Sequence, residues 1–337
     1  VGIDLAKNLF QVHGVDERGK TALKKQLKRD QMMAFFTNLP ACLIGMEACG
    51  SAHYWANKLQ RLGHTVKLMA PQFVKPYVKT NKNDVADAEA ICEAVSRPNM
   101  RFVPIKNSEQ QAVLALHRAR QGFVKARTAQ ANQIRGLLAE HGIIIPKGIA
   151  YIGKHLPEIL EDGENGLPGS FRILIKRLGD HLKELDRHTQ ELEVQIQNWH
   201  RDSTASRKLA KIPGIGPITA SALVASVGDA KNFENGRQLA AWLGLVPRQN
   251  SSGGKQTLLG ISKRGDSYLR TLLIHGARAV LRVAERQAHQ ANSWLAGVME
   301  RRNYNVAAVA LANKNARIVW ALLAHDREFE ADYGAEV

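Results

Sequence analysis

The run Val1-Gly2-Ile3-Asp4-Leu5-Ala6 is a short apolar strand interrupted by one carboxylate, and the fold is read outward from it. Strand-like segments recur at residues 10–15, 22–27, 42–46 and 65–69, with helical spacing over 51–62. The polar, glycine-bounded stretch 14–20 (GVDERGK) reads as a hairpin turn among the first strands. Residues 1–105 therefore predict an α/β domain: three antiparallel strands followed by alternating helices and strands, an RNase H-like order.

From residue 107 the period lengthens. Ala112, Leu116, Ala119, Phe123 and Ala126 predict a helix over 107–141, and Phe171, Leu174, Leu178, Leu182, Leu185, Leu192, Ile196 and Trp199 predict a second over 170–200. The two are expected to pair as an antiparallel coiled coil joined by the Gly/Pro-rich stretch 141–169; two ordinary bundle helices are the alternative. Beyond residue 206 the pattern predicts helices near 218–227, 235–243, 266–284 and 306–324, a Gly/Ser/Lys-rich loop at 246–265 and a frayed acidic tail from 328. The expected domains are 1–105, 106–205 and 206–330, with 331–337 as tail.

The chain has 337 residues with 47 Lys+Arg against 31 Asp+Glu, a formal charge of +16, which points to a polyanionic partner. The most apolar stretch, 307–323, is broken by Asn313, Lys314, Asn315 and Arg317, so no membrane span is expected. Three cysteines without a CxxC pair support neither a disulfide framework nor a standard zinc site, and predict a reducing cytoplasm. Val1 already lies in a strand-like run, which suggests that the natural protein carries a few residues before it; no signal peptide is recognised.

A basic protein has no general need for acids in core strands. Asp4 interrupts one apolar run and Glu47 ends another, Leu43-Ile44-Gly45-Met46-Glu47, and burying an unpaired charge there is costly without a partner or cation. Asp84 and Asp87, three apart, share one face of a helix. Singly, each has a structural reading: Asp84 an N-cap, Asp87 a first-turn acid, Asp4 a strand end, Glu47 a partner for an arginine. Together they form an oxygen cage suited to Mg²⁺ and to phosphodiester cleavage.

Two further elements stand out. Arg248-Gln249-Asn250-Ser251-Ser252-Gly253-Gly254-Lys255, followed by Lys263, Arg264 and Arg270, places a serine among glycines and cations that can stabilise a phosphorane; a plain surface turn has the same composition. Ile212-Pro213-Gly214-Ile215-Gly216-Pro217 reads either as the hairpin of a helix-hairpin-helix, with backbone N–H groups at Gly214 and Gly216 facing a DNA phosphate, or as a tight inter-helix turn.

These residues carry a resemblance. Val1-Gly-Ile-Asp-Leu-Ala-Lys7, Gly45-Met-Glu-Ala-Cys-Gly50, Asn81-Lys-Asn-Asp-Val-Ala-Asp-Ala88, Pro213-Gly-Ile-Gly216, and Gly244-Leu-Val-Pro-Arg-Gln249 through Ile261-Ser-Lys-Arg-Gly265 resemble the insertion-sequence 110 family of transposases, 1111 subgroup, over nearly the whole chain. The resemblance implies a RuvC-like N-terminal domain with a DEDD tetrad on Asp4, Glu47, Asp84 and Asp87, a coiled-coil insertion and a C-terminal transposase domain. It implies a nucleophilic serine at Ser252, with Ser251 one register away, and Mg²⁺ as cofactor. It also implies a transient phosphoserine joining donor and target DNA, a bridge RNA as guide, and a composite site in a homo-oligomer, a dimer of dimers. Arg248, Lys255, Lys263, Arg264 and Arg270 are the expected phosphate contacts. Two rivals stay open: a RuvC-like nuclease or junction resolvase that uses water, and a non-catalytic nucleic-acid scaffold.

Overall fold

The computed structural model describes residues 1–79, 83–286 and 293–330; Asn81 and Lys82 of the third motif and the tail from 331 lie outside the described residues. The chain forms two compact units, Val1–Gln110 and Gln111–Val337. The first is a mixed α/β unit, and the second is mainly helical.

The first unit holds a six-stranded sheet of β1 (Gly2–Leu5), β2 (Leu9–Val15), β3 (Thr21–Lys28), β4 (Leu43–Glu47), β5 (Thr65–Met69) and β6 (Phe102–Val103), in the order β3-β2-β1-β4-β5-β6. β1 is antiparallel to β2 and parallel to β4, β2 is antiparallel to β3, and β4 is parallel to β5. Five strands lie where the hydrophobic pattern put them; β6 has only two residues and no pattern to read. In the β2–β3 turn the Asp16 carboxylate accepts the Arg18 and Lys20 amides at 2.9 and 2.8 Å, and Gly19 supplies the positive φ of 78°.

Helices α1 (Gln31–Thr37), unforeseen, and α2 (Ala52–Arg61) cover one sheet face, where Ile3, Phe10, Val12, Ile44 and Met46 meet Met32, Phe36, Trp55 and Leu59. After the short α3 (Pro71–Val74), helix α4 (Asp84–Val95) covers the other face. There β1 and β4 present glycines to each other, Gly2 paired with Gly45. A Cβ on Gly2 would stand 2.4 Å from Ala88 O and 2.3 Å from Cys92 N, and one on Gly45 would stand 2.7 Å from Val95 Cβ. The missing side chains let α4 descend onto the sheet, and side-chain alternation puts Asp4 and Glu47 on that same face, two residues beyond each glycine.

In the second unit α5 (Ser108–Ala139) and α7 (Gly169–Asp202) run antiparallel. Arg120 pairs with Glu193, Phe123 stacks on His188, Arg127 pairs with Asp186, and His141 packs on Phe171, so numbers fall on one helix as they rise on the other. The expected stripe on α5 is displaced: Ala112, Ala119 and Ala126 are exposed, whereas Val113, His117, Ala131, Ile134 and Leu138 are buried. Polar His117, Arg120 and Arg127 occupy the contact face over its first two-thirds, so counting apolar residues selects the neighbouring stripe. The expected connector contains a further helix, α6 (Ile149–Glu161), whose Leu156 sits against Gly179; a Cβ there would be 2.4 Å from Leu156 Cδ2.

The remaining helices are α8 (Thr204–Leu209), α9 (Pro217–Val227), α10 (Gly236–Trp242), α11 (Ser267–Arg286), α12 (Ser293–Arg301) and α13 (Tyr304–His325). They share a core built on Leu223, Leu239, Leu273, Leu281, Ala312 and Val319. Despite its interruptions, α13 is long and apolar enough to cross a membrane by length and composition, yet 44% of its apolar window is buried inside the fold. Its buried Asn315 is accommodated by donating to Pro213 O at 2.9 Å. The 246–265 region, expected as a loop, is a β-hairpin of β7 (Pro247–Ser252) and β8 (Lys255–Ile261). Glu328, the first residue of the expected frayed tail, is tied to Lys211 at 2.7 Å, just beyond Asp326, which is tied to Lys208 at 2.6 Å.

Candidate functional site

Three of the four sequence-selected acids meet at one point. Carboxylate oxygens of Asp4 on β1 and of Asp84 and Asp87 on α4 lie within 4.8 Å of one another. The cause is local: Ala88 and Cys92 rest on Gly2, so the helical turn before them overlies Asp4, two residues further along β1. Asn83 rather than Asp84 caps α4, its side chain accepting the Val85 amide at 3.0 Å, which leaves the Asp84 carboxylate out of the capping role. The fourth acid, Glu47 at the end of β4, is half-buried, and its carboxyl is pushed up, first by burial and then by the charges of Asp4 and Asp87.

This donor set fits a hard divalent cation. It offers carboxylate oxygens from two elements, and Glu47 feels the accumulated negative charge that such an ion would neutralise. Burial and the charges of Glu47 and Asp4 also push the thiol of Cys49 up. Sequence reasoning missed Gln11, paired opposite Asp4, and His13, paired opposite Gly2; both are buried on the acid-bearing face. Their signal is a polar residue at an inward strand position. Burial lowers the pKa of His13.

The serine stands on a defined support. Ser252 pairs with Lys255, and Gly253 and Gly254 between them have φ of 57° and 78°, the two-residue turn that matches strand twist. Ser251 and Ser252 point to opposite faces of the ribbon, and Ser251 Oγ accepts from Gln249 Nε2 at 2.9 Å. Every residue of β7 is exposed, and so are Leu258 and Leu259 on β8, the former at 65%. The base is clamped backbone to backbone: Lys263 N donates to Gly244 O at 3.1 Å, and Cβ atoms on Gly244 and Gly265 would stand 2.0 Å from Arg264 O and 1.9 Å from Trp242 O. Arg270 braces it by donating to Leu243 O and Arg264 O, while Arg248, Lys255, Lys263 and Arg264 are exposed.

The Pro213–Pro217 element lies between α8 and α9. Gly214, at φ 86°, packs its backbone against Gly276 of α11, where a Cβ would meet Gly214 O at 1.8 Å. Gly216 is the exposed N-cap of α9, with Pro217 at its first position. Behind this element lies a polar network absent from the sequence reading. His117, 1% exposed, meets Ser221 Oγ through Nε2 at 3.1 Å and Tyr268 Oη through Nδ1 at 3.0 Å, and Ser221 Oγ donates to Pro217 O at 2.7 Å. Burial, with Arg120 nearby, lowers the His117 pKa to about 4, so the ring is neutral, and burial raises that of Tyr268. The network ties α5, the start of α9 and the start of α11 together.

Comparison with known proteins adds to this geometry. A DEDD transposase model of the IS110 group matches residues 1–143, and the model described as "Transposase IS116/IS110/IS902 family" matches residues 206–292. A protein of Pseudomonas aeruginosa described as "Probable family 20 transposase" is 55% identical over 97% of each chain. The transposase for insertion sequence element IS1328 of Yersinia enterocolitica is 46% identical over 96% of each chain. The transposase for insertion sequence element IS1111A of Coxiella burnetii is 45% identical over 98% of this chain and 90% of its own length.

Proposed function

The chain belongs to the IS116/IS110/IS902 family of transposases and is a DNA transposase, and from that premise we propose that it is a guided recombinase joining donor and target DNA through a phosphoserine at Ser252. The observation that carries this reading is the convergence of Asp4, Asp84 and Asp87, with Glu47 beside them, on a sheet whose β3-β2-β1-β4-β5 order supports an RNase H-like, RuvC-like domain.

Asp4, Glu47, Asp84 and Asp87 would hold Mg²⁺, which when bound neutralises charge on the attacking and leaving oxygens of a phosphodiester. The chain's own contribution at the serine is positional. The glycine turn brings Ser252 to the end of an exposed ribbon where backbone can approach a phosphate, and Lys255, its cross-strand partner, sets a cation beside the reacting group. Oγ would form a bond to phosphorus as the bond to the leaving 3′ oxygen breaks, and the serine proton passes to solvent or to a neighbouring base. The 3′ hydroxyl of the recipient strand then reverses the step, restoring the serine.

Arg248, Lys255, Lys263 and Arg264, with the amides at Gly214 and Gly216, are proposed to hold DNA phosphates; Arg270 contributes by bracing the loop. The proposal includes a bridge RNA that leaves sequence reading to base pairing, a homo-oligomer organised as a dimer of dimers, and the division into RuvC-like, coiled-coil and transposase domains at 1–105, 106–205 and 206–330.

The test is metal dependence against binding. Asp84→Ala should abolish strand exchange while DNA binding persists; a scaffold would lose neither. Nucleic acid extracted from the protein purified with its native flanking DNA should contain one discrete RNA, complementary to element ends and target. Recovery of only heterogeneous, salt-displaceable nucleic acid removes the guide from this account.

A further inference from the structure

A second place in the first unit has the chemistry of a nucleotide site. A cavity of about 640 Å³ is lined by Asn8 at the start of the β1–β2 hairpin, by Lys28, Arg29 and Asp30 after β3, and by Tyr54 and Trp55 in the first turn of α2. It opens broadly to solvent. Its walls combine aromatic and cationic groups with the apolar side chains of Leu9 and Met33. Arg29 lies 5.3 Å from the Trp55 ring and 5.9 Å from the Phe10 ring, and its own backbone amide is fixed by Asn8 O. Tyr54 is 48% exposed, with Lys58 Nζ 5.8 Å from its ring centroid.

Structural readings account for part of this. Arg29 stacked on Trp55 stabilises the packing of β3 against α2, and lysines along β3 protect a sheet edge from pairing with another chain. They do not account for a half-exposed tyrosine ring bordered by Lys28, Arg29 and Lys58, none of which forms a salt bridge among the described residues. A flat ring with Lys28, Arg29 and Lys58 around it suits a ligand that is itself flat and carries negative charge; Asp30, the single carboxylate of the lining, works against an anion but is outnumbered by these cations.

Topology places the cavity beside the acids. The β1–β2 turn follows the end of β1, which carries Asp4, and α2 follows the end of β4, which carries Glu47. Both strands are parallel, so cavity and carboxylates occupy one end of the sheet on opposite faces: Trp55 with the α2 core, Asp4 and Glu47 under α4. We propose that this cavity grips one unpaired nucleotide of a nucleic-acid strand, its base stacked on Tyr54 and its phosphates on Lys28, Arg29 and Lys58. The proposal rests on the strand-transfer reading for its purpose: the gripped nucleotide holds the flanking strand as it passes the acids.

The test is binding of a short single strand, as DNA and as RNA, to the full-length protein without divalent metal, at salt high enough to suppress purely electrostatic association. Fluorescence anisotropy should show Tyr54→Ala weakening binding about 5- to 150-fold, the range of one lost base–aromatic stack, with Tyr54→Phe binding as wild type. A strand carrying 5-iodouracil should crosslink within residues 30–58, and the tighter of the two polymers identifies the strand. Unchanged binding by Tyr54→Ala, equal losses in Tyr54→Ala and Tyr54→Phe, or crosslinks only elsewhere would overturn the proposal. Because no bond is cut in this assay, Tyr54-dependent binding in a protein with no strand exchange would refute the reaction and leave the pocket standing; strand exchange without it would do the reverse.

Discussion

Gly2 on β1 and Gly45 on β4 are paired neighbours in a parallel ladder, and neither leaves room for a side chain beneath α4. Through that pair a short strand and a distant helix bring Asp4 to Asp84 and Asp87. The glycines belong to the acid site as much as the acids do, although neither can touch a metal or a phosphate.

Gly2→Ala should therefore destabilise the fold by about 1–3 kcal/mol, because its Cβ meets α4 backbone that cannot swing aside. It should weaken divalent-cation binding as well. Gly122→Ala, on an exposed part of α5 with nothing within 4 Å of the added carbon, should instead stabilise by about 1 kcal/mol. Urea unfolding with and without Mg²⁺ separates the two effects.

The crowded acids predict opposite signs with and without metal. In EDTA, Asp87→Asn should raise the melting temperature, since it removes one of the charges acting on Glu47. With millimolar Mg²⁺ the wild type should gain stability and Asp87→Asn little, as expected when a ligand binds only the folded state. A thermal-shift titration checks both. An Asp87→Asn protein less stable than wild type in EDTA would point to an unrecognised cationic partner.

His117 sets an acid limit. Its native pKa of about 4 lies below the ordinary 6.5, so above pH 6.5 the ring is neutral folded and unfolded, and contributes no pH dependence. Between 6.5 and 4 the unfolded chain takes up a proton that the native state refuses, so stability falls with pH by a total of about 3 kcal/mol. His117→Gln should flatten that part of the profile. Chemical denaturation across the window measures it, and an equally steep loss in the variant would assign the dependence to another group.

The turn carrying the serine makes a separate prediction. Gly253→Val forces a branched residue into a left-handed conformation at a cost of about 1–2 kcal/mol, whereas Gly253→Asn tolerates it. Because the ribbon is exposed, the overall melting temperature should hardly move in either variant. Strand exchange should fall in Gly253→Val and survive in Gly253→Asn.

The sequence makes some of this legible and hides the rest for physical reasons. The five principal strands and the two long helices are visible because alternation and three-four spacing are strong over those lengths. Asp4 and Glu47 are visible because carboxylates at the ends of apolar strands have few other uses, and Asp84 and Asp87 because their spacing of three puts both on one face of a helix. The α5 stripe is misread because its contact face is polar, with His117, Arg120 and Arg127 each bonded to a partner that lies far along the chain. The serine ribbon reads as a loop because its strands, PRQNSS and KQTLLGI, bury almost nothing and so show no alternation. The glycines at 244 and 265 are conspicuous in the sequence, but their purpose, two backbones in contact at the base of the ribbon, emerges only from the fold.

The central claim is that Ser252 becomes covalently bound to DNA, and it is tested most directly by trapping that bond. Protein incubated with Mg²⁺, guide and labelled donor and target DNA, then denatured and digested, should yield a phosphodiester-linked nucleotide on Ser252 by mass spectrometry. The adduct should be absent from Ser252→Ala and present in Ser251→Ala. Strand exchange by Ser252→Ala at the wild-type rate, with no adduct on either serine, would contradict the account and leave the acids acting on water.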